Sequence, residues 1–194
     1  MRSRIVEMDT TTKATIRAII TIAGMELPMT LRLLRKPPAS LRVIALDDFG
    51  GTIFHFVRTA KETTVLRRAP QIPEELLSSG LAEDLASWFF LADPESTVLV
   101  RLAPESANAT NTYGLLRETN GYATLYSSSK PDGPLDRVQT GVGGRLHTTI
   151  DCVWSGREPS SARIVNHRFG YTMDLDVRKW QIEDLTNARF EIHR

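Results

Sequence analysis

A chain of 194 residues is long enough to bury a full core, and neither its length nor its composition calls for a second unit, so residues 1–194 are read as one domain. With 24 basic against 23 acidic residues the net charge is +1, which leaves no electrostatic footprint for nucleic acid or an anionic membrane surface. The single cysteine, Cys152, excludes an internal disulfide and a multi-thiolate metal site, and no apolar run reaches the ~18 residues of a bilayer-spanning helix.

From residue 14 the stretch "ATIRAIITIAG" alternates, with Ile16, Ala18, Ile20 and Ile22 on one side and Thr15, Arg17 and Thr21 on the other, the pattern of a half-buried strand. The pattern recurs in "LPMTLRLLRK", where Met29, Leu31 and Leu33 alternate with Thr30 and Arg32, and in "LRVIALDD", with Pro37–Pro38 marking the connection between them. "TIFHFVRT" and "ETTVLRR" supply a fourth and a fifth strand, and the short connections make these neighbours antiparallel. Between the third and fourth, "DDFGG" reads as a tight turn. Phe49 stands at its tip, an aromatic ring where a turn normally shows a polar residue to water.

The period then changes. "IPEELLSSGLAEDLASWFFL", residues 72–91, places Pro73 in a first helical turn, Glu74 and Glu75 where the helix dipole favours anions, and Leu77, Leu81, Leu85, Trp88 and Phe89 along one face. Gly80 weakens this amphipathic helix by about 1 kcal/mol relative to Ala and leaves room for a bend or for mobility. Residues 93–112 hold at most one short strand in a long loop. After them "LLRETNGYATLYSS" predicts a hairpin turning at Asn120–Gly121. "RLHTTIDCVW" places Leu146, Thr148, Ile150, Cys152 and Trp154 on one face, "PSSARIVNHR" is another strand, and "YTMDLDVRKW" sets Tyr171, Met173, Leu175 and Val177 against Thr172, Asp174, Asp176 and Arg178. Nine or ten antiparallel strands in meander order, interrupted by one amphipathic helix, predict a mainly β fold: a curved sheet forming an unclosed barrel with a helical lid over an apolar hollow.

The chemistry-bearing residues do not assemble. His147 and Asp151 share a strand face but lie about 13 Å apart at roughly 3.3 Å per residue, and Cys152 points to the other face. Asp47 and Asp48 read as turn formers, "GVGG" at 141–144 as a flexible turn without the lysine of a phosphate loop, and "NAT" at 108–110 as a weak glycosylation triplet. No nucleophile or ligand spacing demands an enzyme, a metal or an organic cofactor, so none is expected.

The strand-rich first half ending in "LDDFGGTIFHF", the helix "PEELLSSGLAEDLASWFF" and the closing "EPSSARIVNHRFGYTMDLDVRKW" together resemble the LolA/LolB superfamily of bacterial lipoprotein carriers and outer-membrane lipoprotein receptors, the LolB-like receptor more than the carrier. The likeness runs from about Thr11 to Glu183. It departs from the receptor pattern in the longer 93–112 segment, in the extension "LTNARFEIHR", and in lacking an N-terminal lipid-modified cysteine.

The resemblance implies a half β-barrel that holds the acyl chains of a lipid or lipoprotein and delivers them to the outer membrane of a Gram-negative envelope, with a periplasmic carrier protein as a second partner. It also implies that the "DDFGG" turn enters the membrane through Phe49. The expected cavity lining is Met29, Leu31, Leu33, Phe54, Phe56, Leu77, Leu81, Leu85, Trp88 and Ile150. A monomer without nucleic-acid partners is expected, in the periplasm or on the periplasmic face of the outer membrane if a signal or anchor has been removed, and in the cytoplasm if the N-terminus is native. Two other functions fit the same fold: a module that senses lipid or peptide and contacts another protein, its interface the 93–112 loop, and a small enzyme using the hollow as its active site.

Overall fold

The computed structural model describes residues 11–36, 40–88, 97–102, 112–119, 122–128, 136–156 and 158–182. Pro37–Pro38, Phe89, the Asn120–Gly121 turn, the "NAT" triplet, most of the 93–112 loop and the extension after Ile182 lie outside these residues.

Alternation translates directly into strands. The chain runs β1 (Thr12–Ile22), β2 (Met25–Lys36), β3 (Ser40–Leu46), β4 (Thr52–Arg58) and β5 (Thr63–Arg68), then the helical segment, then β6 (Thr97–Leu102), β7 (Thr112–Thr119), β8 (Tyr122–Ser127), β9 (Arg137–Val142), β10 (Arg145–Ser155), β11 (Glu158–Asn166) and β12 (Tyr171–Ile182). All belong to one antiparallel, unclosed sheet ordered β5-β4-β3-β2-β1-β12-β11-β10-β9-β8-β7-β6. Two meanders are therefore joined by their first and last strands: β1 pairs with β2 on one side and with β12 on the other. β6 is the short strand that the sequence allowed in the long loop. β9 is one it did not show, because "RVQTGV" is brief and its Gly141 belongs to the strand, while Gly143 and Gly144, both at positive φ, make the turn into β10.

One face of the sheet is apolar. Ala14, Ile16, Ala18 and Ile20 of β1, Val43 and Ala45 of β3, and Ile164, Met173 and Leu175 of the last two strands are all buried in a single cluster. The β1–β12 ladder carries one bulge: Thr15 pairs with Lys179 and Ile16 with Val177, which leaves Arg178 as the additional residue. The bulge resets the alternation so that Val177 and Trp180 both pack against the core.

Across this apolar face lies the helical segment, a π-helical stretch Leu76–Leu81 running into α1 (Ala82–Trp88). The Ala82 N–H donates to the Leu77 carbonyl, five residues back. Gly80 sits inside the π stretch, where close packing leaves little room for a side chain. A β-carbon there would stand 3.0 Å from Cδ2 of Phe169 and 3.5 Å from Cε1 of Tyr171. The segment also bridges the two halves of the sheet by charge. Glu74 meets Arg68 of β5 at 3.8 Å and Glu83 meets Arg58 of β4 at 2.7 Å, while Glu75 meets Arg168 of the β11–β12 turn at 3.6 Å.

Candidate functional site

The ten residues expected to line the hollow come from four elements. Met29, Leu31 and Leu33 alternate on β2, Phe54 and Phe56 on β4, Ile150 stands on β10, and Leu77, Leu81, Leu85 and Trp88 belong to the helical segment. Every one is buried, and all belong to the one cluster that joins helix and sheet. Phe54 and Phe56, two positions apart on one face, stack with ring centroids 6.0 Å apart at 13°. The helix lies closed on the sheet, so a guest in this interior has to displace its apolar side chains.

The sequence reading missed a polar cluster that fixes the helix. Asp84, 2 % exposed, accepts hydrogen bonds from Thr148 Oγ1 of β10 at 2.9 Å, from Asn166 Nδ2 of β11 at 2.8 Å and from the Tyr171 hydroxyl of β12. Asn166 also donates to Thr148 Oγ1 at 3.1 Å and accepts the Phe169 N–H at 2.8 Å. Burial raises the Asp84 pKa above the ordinary carboxylate value, partly offset by its three donors, and burial beside Asp84 holds the Tyr171 hydroxyl well above the usual phenol range. The signal was present in the spacing. Leu77, Leu81, Asp84 and Trp88 follow the stripe of one helix face, and Thr148, Asn166 and Tyr171 each occupy an end of an inward row of their strands.

The "DDFGG" turn is built by its first aspartate. Asp47 Oδ1 accepts the Phe49 and Gly51 N–H groups at 2.9 and 2.7 Å, and Gly50 takes φ +83°, a conformation that favours glycine. The outcome is a Phe49 side chain with 100 % exposure. The β1–β2 hairpin opens at the same end of the sheet and leaves Met25 and Leu27 exposed as well.

His147, Asp151 and Cys152 do not form a site. The His147 ring stands edge-on to Tyr122, Asp151 is paired with Arg137 at 2.7 Å, and Cys152 is buried on the opposite face. Burial pushes the Cys152 thiol up to about 12, against a smaller opposing effect of a hydrogen bond from Trp88, so it stays protonated and a poor nucleophile. Among the described residues no group of three or more His, Cys, Asp and Glu side chains is placed to hold a metal, and no helix is long and apolar enough to cross a membrane.

A helix laid across the apolar face of one open antiparallel sheet is shared with solved structures. A LolA superfamily protein from Nitrosomonas europaea superposes with a TM-score of 0.67 at 13 % identity, over 98 % of this chain and 97 % of that one. The chain has the LolA fold. A putative outer membrane lipoprotein-sorting protein domain from Vibrio parahaemolyticus gives 0.58 at 15 % identity, over 97 % and 93 % of the two chains. A DUF1329 family protein from Desulfovibrio piger gives 0.57 at 12 %, over 97 % and 95 %. No protein-family model and no curated protein matches the sequence. Within the LolA fold of this chain, the space between helix and sheet is the apolar interior described above, and the Phe49 turn projects from the end of the strands where Asp84 is tied to Tyr171.

Proposed function

We propose that this chain, acting as a single monomeric domain without catalytic activity, binds the acyl chains of lipids or lipoproteins between its helix and its sheet. It delivers them to the outer membrane from the periplasm. The observation that carries this reading is the continuity of the lining: the helix presents Leu77, Leu81, Leu85 and Trp88 to a sheet face that is apolar from β4 to β12, with polar side chains confined to its ends. Each buried methylene is worth about 0.8 kcal/mol, so a long acyl chain does not cross water unaided at a useful rate. A protein interior of similar apolarity lets it pass in small net steps.

Phe49 is the docking tip in this reading. Burying one Phe contributes about 1.5–3 kcal/mol, enough to lengthen residence on a bilayer and too little to make it permanent. The test is uptake of an environment-sensitive fatty-acid dye, followed by its transfer to liposomes. Wild type is expected to take up and transfer the dye, Phe49→Glu to take it up normally but transfer it at least tenfold more slowly, and Phe49→Leu to behave nearly as wild type. Absence of uptake by the wild type overturns the binding function; equal transfer by Phe49→Glu overturns the docking role.

A further inference from the structure

We infer that the outer face of the sheet beside the Phe49 turn binds the headgroup of a membrane phospholipid that carries both a phosphate and a primary ammonium. The inference rests on the docking role just proposed and extends it from the apolar tip to the polar layer of the bilayer. A concavity of about 280 Å³ opens there, lined by Arg17, Arg178, Thr15 and Thr30 together with Asp48, Pro28 and Met29.

The residues that form it are brought together by register. Arg17 pairs with Thr30, and Thr30 with Leu46, the last residue of β3 before the turn, so the Arg17 row lies at the base of the turn that carries Phe49. Pro28 falls where β2 has outrun β3, an unpaired edge at which a missing N–H costs nothing. The bulge at Arg178 sends Arg178 and Lys179 outward together. Arg17 and Arg178 thus offer guanidinium donors beside the hydroxyls of Thr15 and Thr30, a donor set suited to a phosphate.

The opposite charge is also in place. Asp47 spends its carboxylate on the turn, whereas Asp48, exposed, faces the concavity and has no ion pair or hydrogen bond among the described residues. Arg178 meets Asp176 at 2.7 Å, but both side chains are more than half exposed, so that pair is weak and gives way easily. Two guanidinium groups facing one free carboxylate match a zwitterion better than an anion. Depth agrees as well: the turn places Phe49 three residues beyond Leu46, about 7–10 Å from the Arg17 row at strand spacing. The polar layer of one leaflet is about 5–7 Å thick. A ring inserted a few ångströms past the edge of the acyl layer therefore sets Arg17, Arg178 and Asp48 among the headgroups.

Vesicle flotation of the whole protein tests this with three lipid mixtures: phosphatidylcholine alone, and phosphatidylcholine containing either phosphatidylethanolamine or phosphatidylglycerol. Wild type is expected to bind the ethanolamine vesicles most tightly, about fivefold over choline alone, the effect of one partly exposed ion pair of about 1 kcal/mol. Asp48→Asn should abolish that preference, and Arg17→Gln combined with Arg178→Gln should weaken binding to all three. Equal binding of wild type to the ethanolamine and choline vesicles, or tightest binding to glycerol vesicles, overturns the inference. So does a preference that survives Asp48→Asn, which would arise from looser bilayer packing. If the double arginine variant does not fold, the wild-type ranking and Asp48→Asn still decide. Dye uptake measured on the same preparations separates the two failures: lost selectivity with intact uptake removes only the headgroup site.

Discussion

At Asp84 a carboxylate replaces the leucine that the helix face calls for, and its three donors come from three different strands. Asp84→Ala leaves buried donors without an acceptor, at about 1–3 kcal/mol each, whereas Tyr171→Phe removes a donor along with its bond and costs about 1 kcal/mol. Denaturant titration is expected to show a loss of at least about 3 kcal/mol for the first and about 1 for the second; equal losses would mean that the cluster does not act as a unit. The pH dependence has a definite sign. Because the folded state raises the Asp84 pKa, its contribution is fully present below the ordinary value of 3.8 and is lost as pH rises through the higher folded value. The stability gap between wild type and Asp84→Ala should therefore narrow from pH 4 upward in thermal melts, and a gap that widens would show the three donors outweighing burial. The apolar members of the interior were legible one residue at a time, because alternation and helix spacing assign a face to each. The faces of the polar members were written in the same spacing but their meeting was not, because Thr148, Asn166 and Tyr171 acquire meaning only when β10, β11 and β12 are aligned with the helix, and register is not written in any single strand.

The helical segment shows how an element departs from its own propensities. Its amphipathic face and its acidic start were visible in the sequence, and the strands flanking it were legible wherever six or more residues alternated. The π stretch was not visible. It contains Gly80, which passes close under Phe169 and Tyr171, a contact between residues far apart in the chain. By propensity alone Gly80→Ala should stabilise the helix by about 1 kcal/mol. With a ring carbon 3.0 Å from the new methyl, the expected outcome is a net loss of about 1 kcal/mol instead. Phe169→Ala should reverse the sign, so that Gly80→Ala stabilises in that background; a thermal-melt cycle over the four proteins checks it, and a gain for Gly80→Ala in the wild type would mean that the ring yields freely.

On the scale of the whole molecule, stability should fall from the middle of the sheet towards its margins. β1 and β12 are each paired on both sides and lie at the centre of the order, while β5 and β6 end it. Native-state hydrogen exchange is expected to find the amides of Ile16, Ala18 and Ile20 among the slowest and those of β5 among the fastest; comparable rates would point to a sheet that opens all at once. The pairing of first strand with last has another result, which belongs to the making of the protein. A ribosome delivers β1 long before β12, so while the ten strands between them are made the future centre of the sheet is a bare edge with a row of unanswered amides and carbonyls. Growth of the chain cannot be completed half by half, and a stop codon shortly before Tyr171 would not trim a periphery: it would split the molecule along its spine.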